Sequence, residues 1–63
     1  NILHIVVQVN GKLRAQIDVS PDITEELIKE MSQEHENVKR FTDGLTIQKI
    51  IIVPNKLVNI VAS

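Results

Sequence analysis

The chain has 63 residues, which limits it to one small domain whose core is close to the minimum for unaided folding. It contains no cysteine, which excludes disulfide bonds and thiolate metal sites, and a single aromatic residue, Phe41, which weighs against stacking of single-stranded bases. The net charge of −1 hides a segregation, because all eight acidic residues lie within residues 18–43 and both flanking segments are basic. Two interpretations stay open: a basic sheet that faces a polyanion, or helices that carry ordinary solvated acids.

The first third of the chain has the pattern of a β-hairpin. Apolar and polar residues alternate in residues 3–9 and 12–19, and the pair Asn10-Gly11 between them favours a tight turn. A two-residue loop would put the two apolar rows on opposite faces of the hairpin. We therefore predict a three-residue loop, residues 9–11, which brings both apolar rows to one face. The residues left together on the solvent face are then Gln8, Lys12 and Arg14.

The middle of the chain predicts two short helices. Either Asp22 or Thr24 can cap the first helix. Apolar residues follow at helical spacing: Leu27, Ile28 and Met31. The second helix is predicted to begin near Glu36 or Asn37 and to end at Gly44, because glycine readily adopts the conformation that terminates a helix.

The last part of the chain predicts a second β-hairpin. Residues 46–53 form its first strand, and the apolar side chains on both faces are typical of a central strand. Pro54 and Asn55 predict a turn over residues 53–56, and residues 57–62 form the last strand. The order ββααββ predicts an α+β fold in which two β-hairpins form a four-stranded sheet with two short helices on one face. The order of the strands within the sheet does not follow from the sequence.

Few residues have the spacing that chemistry requires. His4 and His35 lie far apart without a further ligand at a metal-binding spacing, so we predict no metal site and no catalytic residue. The basic residues of the strands are better candidates, either as phosphate contacts or as charges that protect a sheet edge from aggregation. An edge charge is favoured for Lys49. Phosphate contacts are favoured for Lys12, Arg14 and Lys56.

Two segments of the chain carry a resemblance to a known family. Residues 6–15 (VVQVNGKLRA) and residues 46–61 (TIQKIIIVPNKLVNIV) resemble signatures of the C-terminal domain of bacterial leucyl-tRNA synthetases, the class I leucine–tRNA ligases. The resemblance covers nearly the whole chain in the same order and spacing. One departure is Asn55, where many members have glycine, although asparagine is the residue that best tolerates positive φ after glycine.

The resemblance implies a function. Residues 1–63 would be a single, non-catalytic C-terminal tRNA-binding domain, cut from a larger ATP-dependent synthetase, and a first residue other than Met agrees with this. In this family the domain contacts the elbow of leucine tRNA and helps to position the tRNA for aminoacylation and editing. The expected partners are leucine tRNA and the synthetase body in cis. The residues expected on or near the RNA surface are Gln8, Asn10, Gly11, Lys12, Arg14, Lys56 and Asn59.

Other expectations follow from the same resemblance. No cofactor is expected within these residues, whereas the full-length enzyme would use ATP and Mg²⁺. No apolar run reaches 18 residues, so no membrane partner is expected, and the location would be the cytoplasm.

The alternative function is a protein-interaction module that pairs with another chain through an exposed edge strand such as residues 57–61.

Overall fold

A computed structural model describes residues 1–53 and 56–63 of the chain. The predicted α+β order ββααββ is confirmed. The elements are β1 (Leu3–Val9), β2 (Lys12–Val19), α1 (Glu25–Glu34), α2 (Glu36–Thr42), β3 (Ile47–Val53) and β4 (Leu57–Ala62). Within the described residues, neither helix is long and apolar enough to cross a membrane.

The four strands form one sheet in the order β2-β1-β4-β3. The two outer pairs are antiparallel hairpins, and the two inner strands, β1 and β4, are parallel to each other. The prediction that residues 46–53 form a central strand is therefore wrong, because β3 lies at an edge. Its alternate residues Ile50 and Ile52 pack against the core, while Ile51 and Val53 on the other face are 42% and 38% exposed. The edge proposed for the protein-interaction alternative, residues 57–61, is also wrong, since β4 is an inner strand.

One face of the sheet carries the core. Alternate residues of β1, β2 and β4 are buried on this face, and Ile28 of α1 and Val38 of α2 pack into the same cluster. Three valines in the cluster are fully buried: Val7, Val38 and Val58. Full burial of one such side chain stabilises the fold by about 1.5–3 kcal/mol. The helices therefore cover one face, as predicted, and the other face of the sheet stays open.

The first hairpin turn differs from the prediction. Val9 pairs with Lys12, so the loop has two residues, and both have positive φ: 53° at Asn10 and 82° at Gly11. These angles are those of a type I′ turn, which suits the right-handed twist of a hairpin. The predicted three-residue loop is therefore wrong, although the Asn-Gly pair does form the turn.

A β-bulge restores the match between the two apolar rows. Gln8 pairs with Leu13 but Val7 pairs with Ala15, which leaves Arg14 as an extra residue in β2. An extra residue changes the phase of the alternation, so Ala15, Ile17 and Val19 face the core. Leu13 lies on the turn side of the bulge and is 64% exposed.

The helix ends follow the predicted capping chemistry. Thr24 caps α1, because its hydroxyl oxygen accepts a hydrogen bond from the backbone N–H of Leu27 at 3.3 Å. Asp22, the other candidate, accepts a hydrogen bond from the Ser20 hydroxyl instead. This bond and one to its own backbone N–H lower the pKa of Asp22 below the usual value of 3.8. Gly44, at φ 79°, follows α2 as predicted.

Candidate nucleic-acid interface

The parallel pairing of β1 with β4 places Lys56, just before β4, away from the first hairpin turn, which follows the end of β1. Val6 pairs with Leu57, and the backbone N–H of Val6 donates to the carbonyl of Lys56 at 3.1 Å. Asn10, just past the end of β1, lies four residues beyond Val6, about 13 Å away at about 3.3 Å per residue. The turn predicted over residues 53–56 includes Pro54 and Asn55, which lie outside the described residues. The predicted site residues at the two hairpin turns are therefore not one group.

Five of the seven predicted site residues lie together at the first turn, and we call them the turn cluster: Gln8, Asn10, Gly11, Lys12 and Asn59. Gln8 and Asn59 are neighbours on the paired strands β1 and β4. The side-chain oxygen of Asn59 accepts from the backbone N–H of Gly11 at 3.0 Å. The turn cluster therefore joins the first hairpin to β4.

Asn10 fixes the same turn from its other side. Its backbone N–H donates to the carbonyl of Ile60 at 2.8 Å, and its side-chain oxygen accepts from the backbone N–H of Ala62 at 2.9 Å. Both Asn10 and Asn59 thus use their carbonyl oxygen inside the fold. Their side-chain NH₂ groups, which can only donate, are left for an outside acceptor such as a phosphate oxygen.

Arg14 leaves the solvent face on which it was predicted to join Gln8 and Lys12. Its guanidinium carbon lies 3.9 Å from the centre of the Phe41 ring on α2, the helix layer that covers the other face. Arg14 is half-buried, whereas Lys12 is exposed. The prediction of one face for these three residues is therefore wrong. Lys12 pairs with the core residue Val9 and so does not share the face of Gln8, and the bulge re-aims the side chain of Arg14.

The charges are segregated in space as well as in sequence. Within residues 1–53 and 56–63, the one close contact between a basic and an acidic side chain is the hydrogen bond between His4 and Asp18 across β1 and β2, at 2.7 Å. The other seven acids lie in α1, α2 and the loops beside them: Asp22, Glu25, Glu26, Glu30, Glu34, Glu36 and Asp43. The turn cluster contains Lys12 and no acid. A polyanion would therefore be attracted to this end of the sheet and repelled by α1.

The remaining candidates take simpler positions. Lys49 lies exposed on the edge strand β3, where a lysine protects an edge from pairing with other chains. Lys56 is exposed at the opposite end from the turn cluster. In the part of the chain that the structure describes, no three His, Asp or Glu residues come together as metal ligands, and no cavity is found.

Sequence reasoning missed the contact between Arg14 and Phe41 and the internal bonds of Asn10 and Asn59. Arginine often stacks on an aromatic ring, and Phe41 is the only aromatic residue of the sequence, so a contact between Arg14 and Phe41 could have been predicted. The bonds to β4 left no such signal, because they depend on the parallel pairing of two strands that are distant in the sequence.

The fold and this site define a small α+β domain that carries polar donors and the exposed Lys12 at one end of its sheet. Over nearly its whole length, the domain is homologous to a segment of leucine–tRNA ligases, which confirms the resemblance seen in the sequence. The ligase of Cellvibrio japonicus is 52% identical over 61 residues, which are 97% of this chain and 7% of that protein. The ligase of Vibrio parahaemolyticus is 61% identical over 59 residues, or 94% of this chain and 7% of that protein.

A solved structure has the same fold. It is the ternary complex of Agrobacterium radiobacter K84 agnB2 LeuRS with tRNA and LeuAMS. The TM-score is 0.93 at 24% sequence identity, over 98% of this chain and 8% of that one. No family model matches the chain. The chain thus spans about 7% of the length of the ligases that it matches.

Proposed function

We propose that residues 1–63 are the C-terminal tRNA-docking domain of a leucine–tRNA ligase and contact the elbow of leucine tRNA. The homologous ligases are named for their action on leucine and tRNA, and the solved relative was captured with tRNA. In this proposal the partners are leucine tRNA and the synthetase body in cis, and the setting is the cytoplasm. ATP and Mg²⁺ would act in the catalytic part of the enzyme, outside these residues.

The observation that carries this proposal is the turn cluster. Its members come from three strands and the turn between two of them, and internal hydrogen bonds hold the two asparagines before any ligand arrives. Fixed donors lose little freedom on binding, which favours affinity. Amide donors and a lysine at one end of the sheet suit phosphate and ribose oxygens, which position an RNA without reading its sequence.

The surface suits a folded RNA better than a single strand. Proteins that grip single strands stack successive bases on several aromatic rings. This chain has one aromatic residue, and one face of that ring is already covered by Arg14. The elbow of tRNA is a folded corner that can be recognised through its shape and backbone. Lys56, about 13 Å from the turn, would contact a different phosphate from Lys12.

We infer that the domain holds the tRNA while its 3′ end is used in aminoacylation and editing. With about three cations in contact, the slope of log affinity against log salt is expected to be about −2 to −3. Isolated affinity is then weak, and covalent attachment to the synthetase body would raise the effective concentration of the domain at the RNA.

A backbone-amide NMR titration with folded leucine tRNA, at low and at high salt, tests this proposal. We expect salt-sensitive shifts at residues 8–12 and at Asn59. The acidic helix α1 serves as the internal control and should not shift. A second titration replaces the tRNA with a protein partner. Chemical-shift changes that are confined to the edge strand β2 or β3 and do not depend on salt would favour the protein-interaction alternative. An absence of shifts at saturating tRNA would contradict the docking proposal.

A further inference from the structure

Arg14 has an unusual position in the backbone. It is the extra residue of the bulge in β2, because Leu13 pairs with Gln8 and Ala15 pairs with Val7. Bulges commonly redirect one side chain out of the regular alternation of a strand. Here the redirected side chain is a cation, and it leaves the open face for the layer of α2.

Arg14 also differs from the other cations in its surroundings. It is the one Lys or Arg of the chain that is half-buried, and the other six are exposed. Its guanidinium lies 3.9 Å from the centre of the Phe41 ring, well within the range of a cation–π contact. A planar guanidinium on an aromatic face has little rotational freedom, so its direction is fixed before a ligand binds.

The charge of Arg14 has no anionic partner among the described residues. The one close contact there between a basic and an acidic side chain joins His4 and Asp18, and the buried Nε of Arg14 has no hydrogen-bond acceptor. A polar group that is buried and unpaired raises the free energy of the fold. The contact with Phe41 ties β2 to α2 but gives the Nε–H of Arg14 no acceptor, so the contact does not use the hydrogen-bonding capacity of the guanidinium.

We propose that Arg14 and Phe41 form a preformed site for one phosphate group of the bound RNA. Arg14 would present two parallel N–H donors to the phosphate oxygens, the arrangement in which arginine binds phosphate best. Phe41 would be a positioning residue that holds the guanidinium through its ring. The identity of the anion as RNA rests on the proposed function. The site lies at the bulge on the side of the sheet that carries the helices, whereas Gln8 and Asn59 of the turn cluster lie on the open face.

The test measures affinity for folded leucine tRNA by fluorescence anisotropy over a series of salt concentrations. R14A is expected to lose about tenfold in affinity, as for one charge-assisted contact, and to lower the steepness of the salt slope by about 0.7–0.9. R14K keeps the charge but not the planar pair of donors, so its slope should be retained while its affinity falls. The matched control is R40A, which removes an exposed cation next to Phe41 in the sequence and should change affinity by less than twofold, roughly.

The role of Phe41 needs its own variants. F41L keeps an apolar side chain but removes the ring, and it should weaken tRNA binding about threefold with an unchanged salt slope. F41Y keeps the ring and should bind as the wild type does. Circular dichroism melts of each variant confirm that the fold is retained. A purely structural contact predicts that both variants bind tRNA equally once they are folded.

A second measurement uses only the wild-type chain, so the site can be tested even if R14A does not fold. The Nε–H resonance of Arg14 in the wild-type chain should shift when tRNA is added and return at high salt. Wild-type chain that does not bind tRNA would overturn the proposed function and this site together. Wild-type binding with an unmoved Nε–H resonance, or with R14A equal to R40A, would overturn this site alone.

Discussion

The side-chain oxygen of Asn59 accepts a hydrogen bond from the backbone N–H of Gly11 at 3.0 Å, across 48 positions of the sequence. Gly11 belongs to the first hairpin and Asn59 to the second. The bond therefore ties the tip of one hairpin to the inner strand of the other. It also makes Asn59 part of the fold as well as part of the turn cluster, and these two roles can be separated by substitution.

Two substitutions of Asn59 distinguish folding from RNA contact. N59A removes the acceptor and should lower the free energy of unfolding by about 1 kcal/mol. N59D keeps an acceptor oxygen but adds a negative charge, so its stability in urea should stay near the wild-type value while its affinity for leucine tRNA falls further than that of N59A. If N59D bound tRNA as well as the wild type, the turn cluster would not face the RNA.

The two glycines of the chain form a matched pair. Gly11 and Gly44 have positive φ of 82° and 79°, and an added Cβ would meet no atom within 4 Å at either position. G11A and G44A should therefore each cost about 1 kcal/mol of unfolding free energy from backbone strain alone. Only G11A should also weaken tRNA binding, because Gly44 lies outside the turn cluster. Equal binding by both variants would count against the cluster.

Substitution of Lys12 and of Lys56 compares the contributions of two separate parts of the surface to tRNA binding. We expect K12A to weaken tRNA binding more than K56A, because Lys12 lies among the fixed donors and Lys56 does not. The double variant K12A/R14A should weaken binding further without unfolding the chain, as judged by circular dichroism.

A chimeric enzyme tests the same prediction during catalysis. In the chimera, this chain replaces the matching 59 residues of the Vibrio parahaemolyticus ligase. There K12A should raise KM for tRNA with kcat unchanged, since docking lies outside the chemical step.

The stability of the fold should depend on Asp22 at acid pH. The pKa of Asp22 is lowered in the folded chain. The larger cause is the hydrogen bond from the Ser20 hydroxyl, and the smaller is the hydrogen bond from the backbone N–H of Asp22 itself. A lowered pKa contributes stability above the unfolded value of 3.8, and this contribution is lost as the pH falls through the lower folded value. S20A should reduce this loss in urea titrations between about pH 5 and pH 2. A pH profile identical to that of the wild type would contradict the assigned cause.

Local rules predicted the elements of this fold well. The alternation of β1 and β2, the cap at Thr24 and the terminating Gly44 all depend on neighbours in the sequence, and the structure has each of them. The predicted loop length was wrong because the Asn-Gly turn keeps its preferred two residues. The bulge in β2 brings the apolar rows of the two strands to one face instead. Nothing in the residues around Arg14 marks it as the extra one.

The arrangement of the two hairpins could not be predicted in the same way. The pairing of Val6 with Leu57 joins segments whose alternation is compatible with several strand orders. Apolar residues on both faces of β3 suggested an inner strand, yet Ile51 and Val53 remain largely exposed at the edge. The site was therefore predicted as one surface, whereas the fold separates Lys56 and Arg14 from the other five residues.

The parallel direction of β1 and β4 has a mechanical consequence. The chain enters the sheet at Leu3, and the turn cluster lies at the far end of β1, about 20 Å away at about 3.3 Å per residue. The molecule is elongated along its longest axis, 35 Å against 18 and 17 Å. A joint placed before Leu3 would give the domain a lever arm, so that a modest rotation at the joint would move the turn cluster by several ångströms. In the proposed docking, the sheet between the two ends would carry that motion to the tRNA.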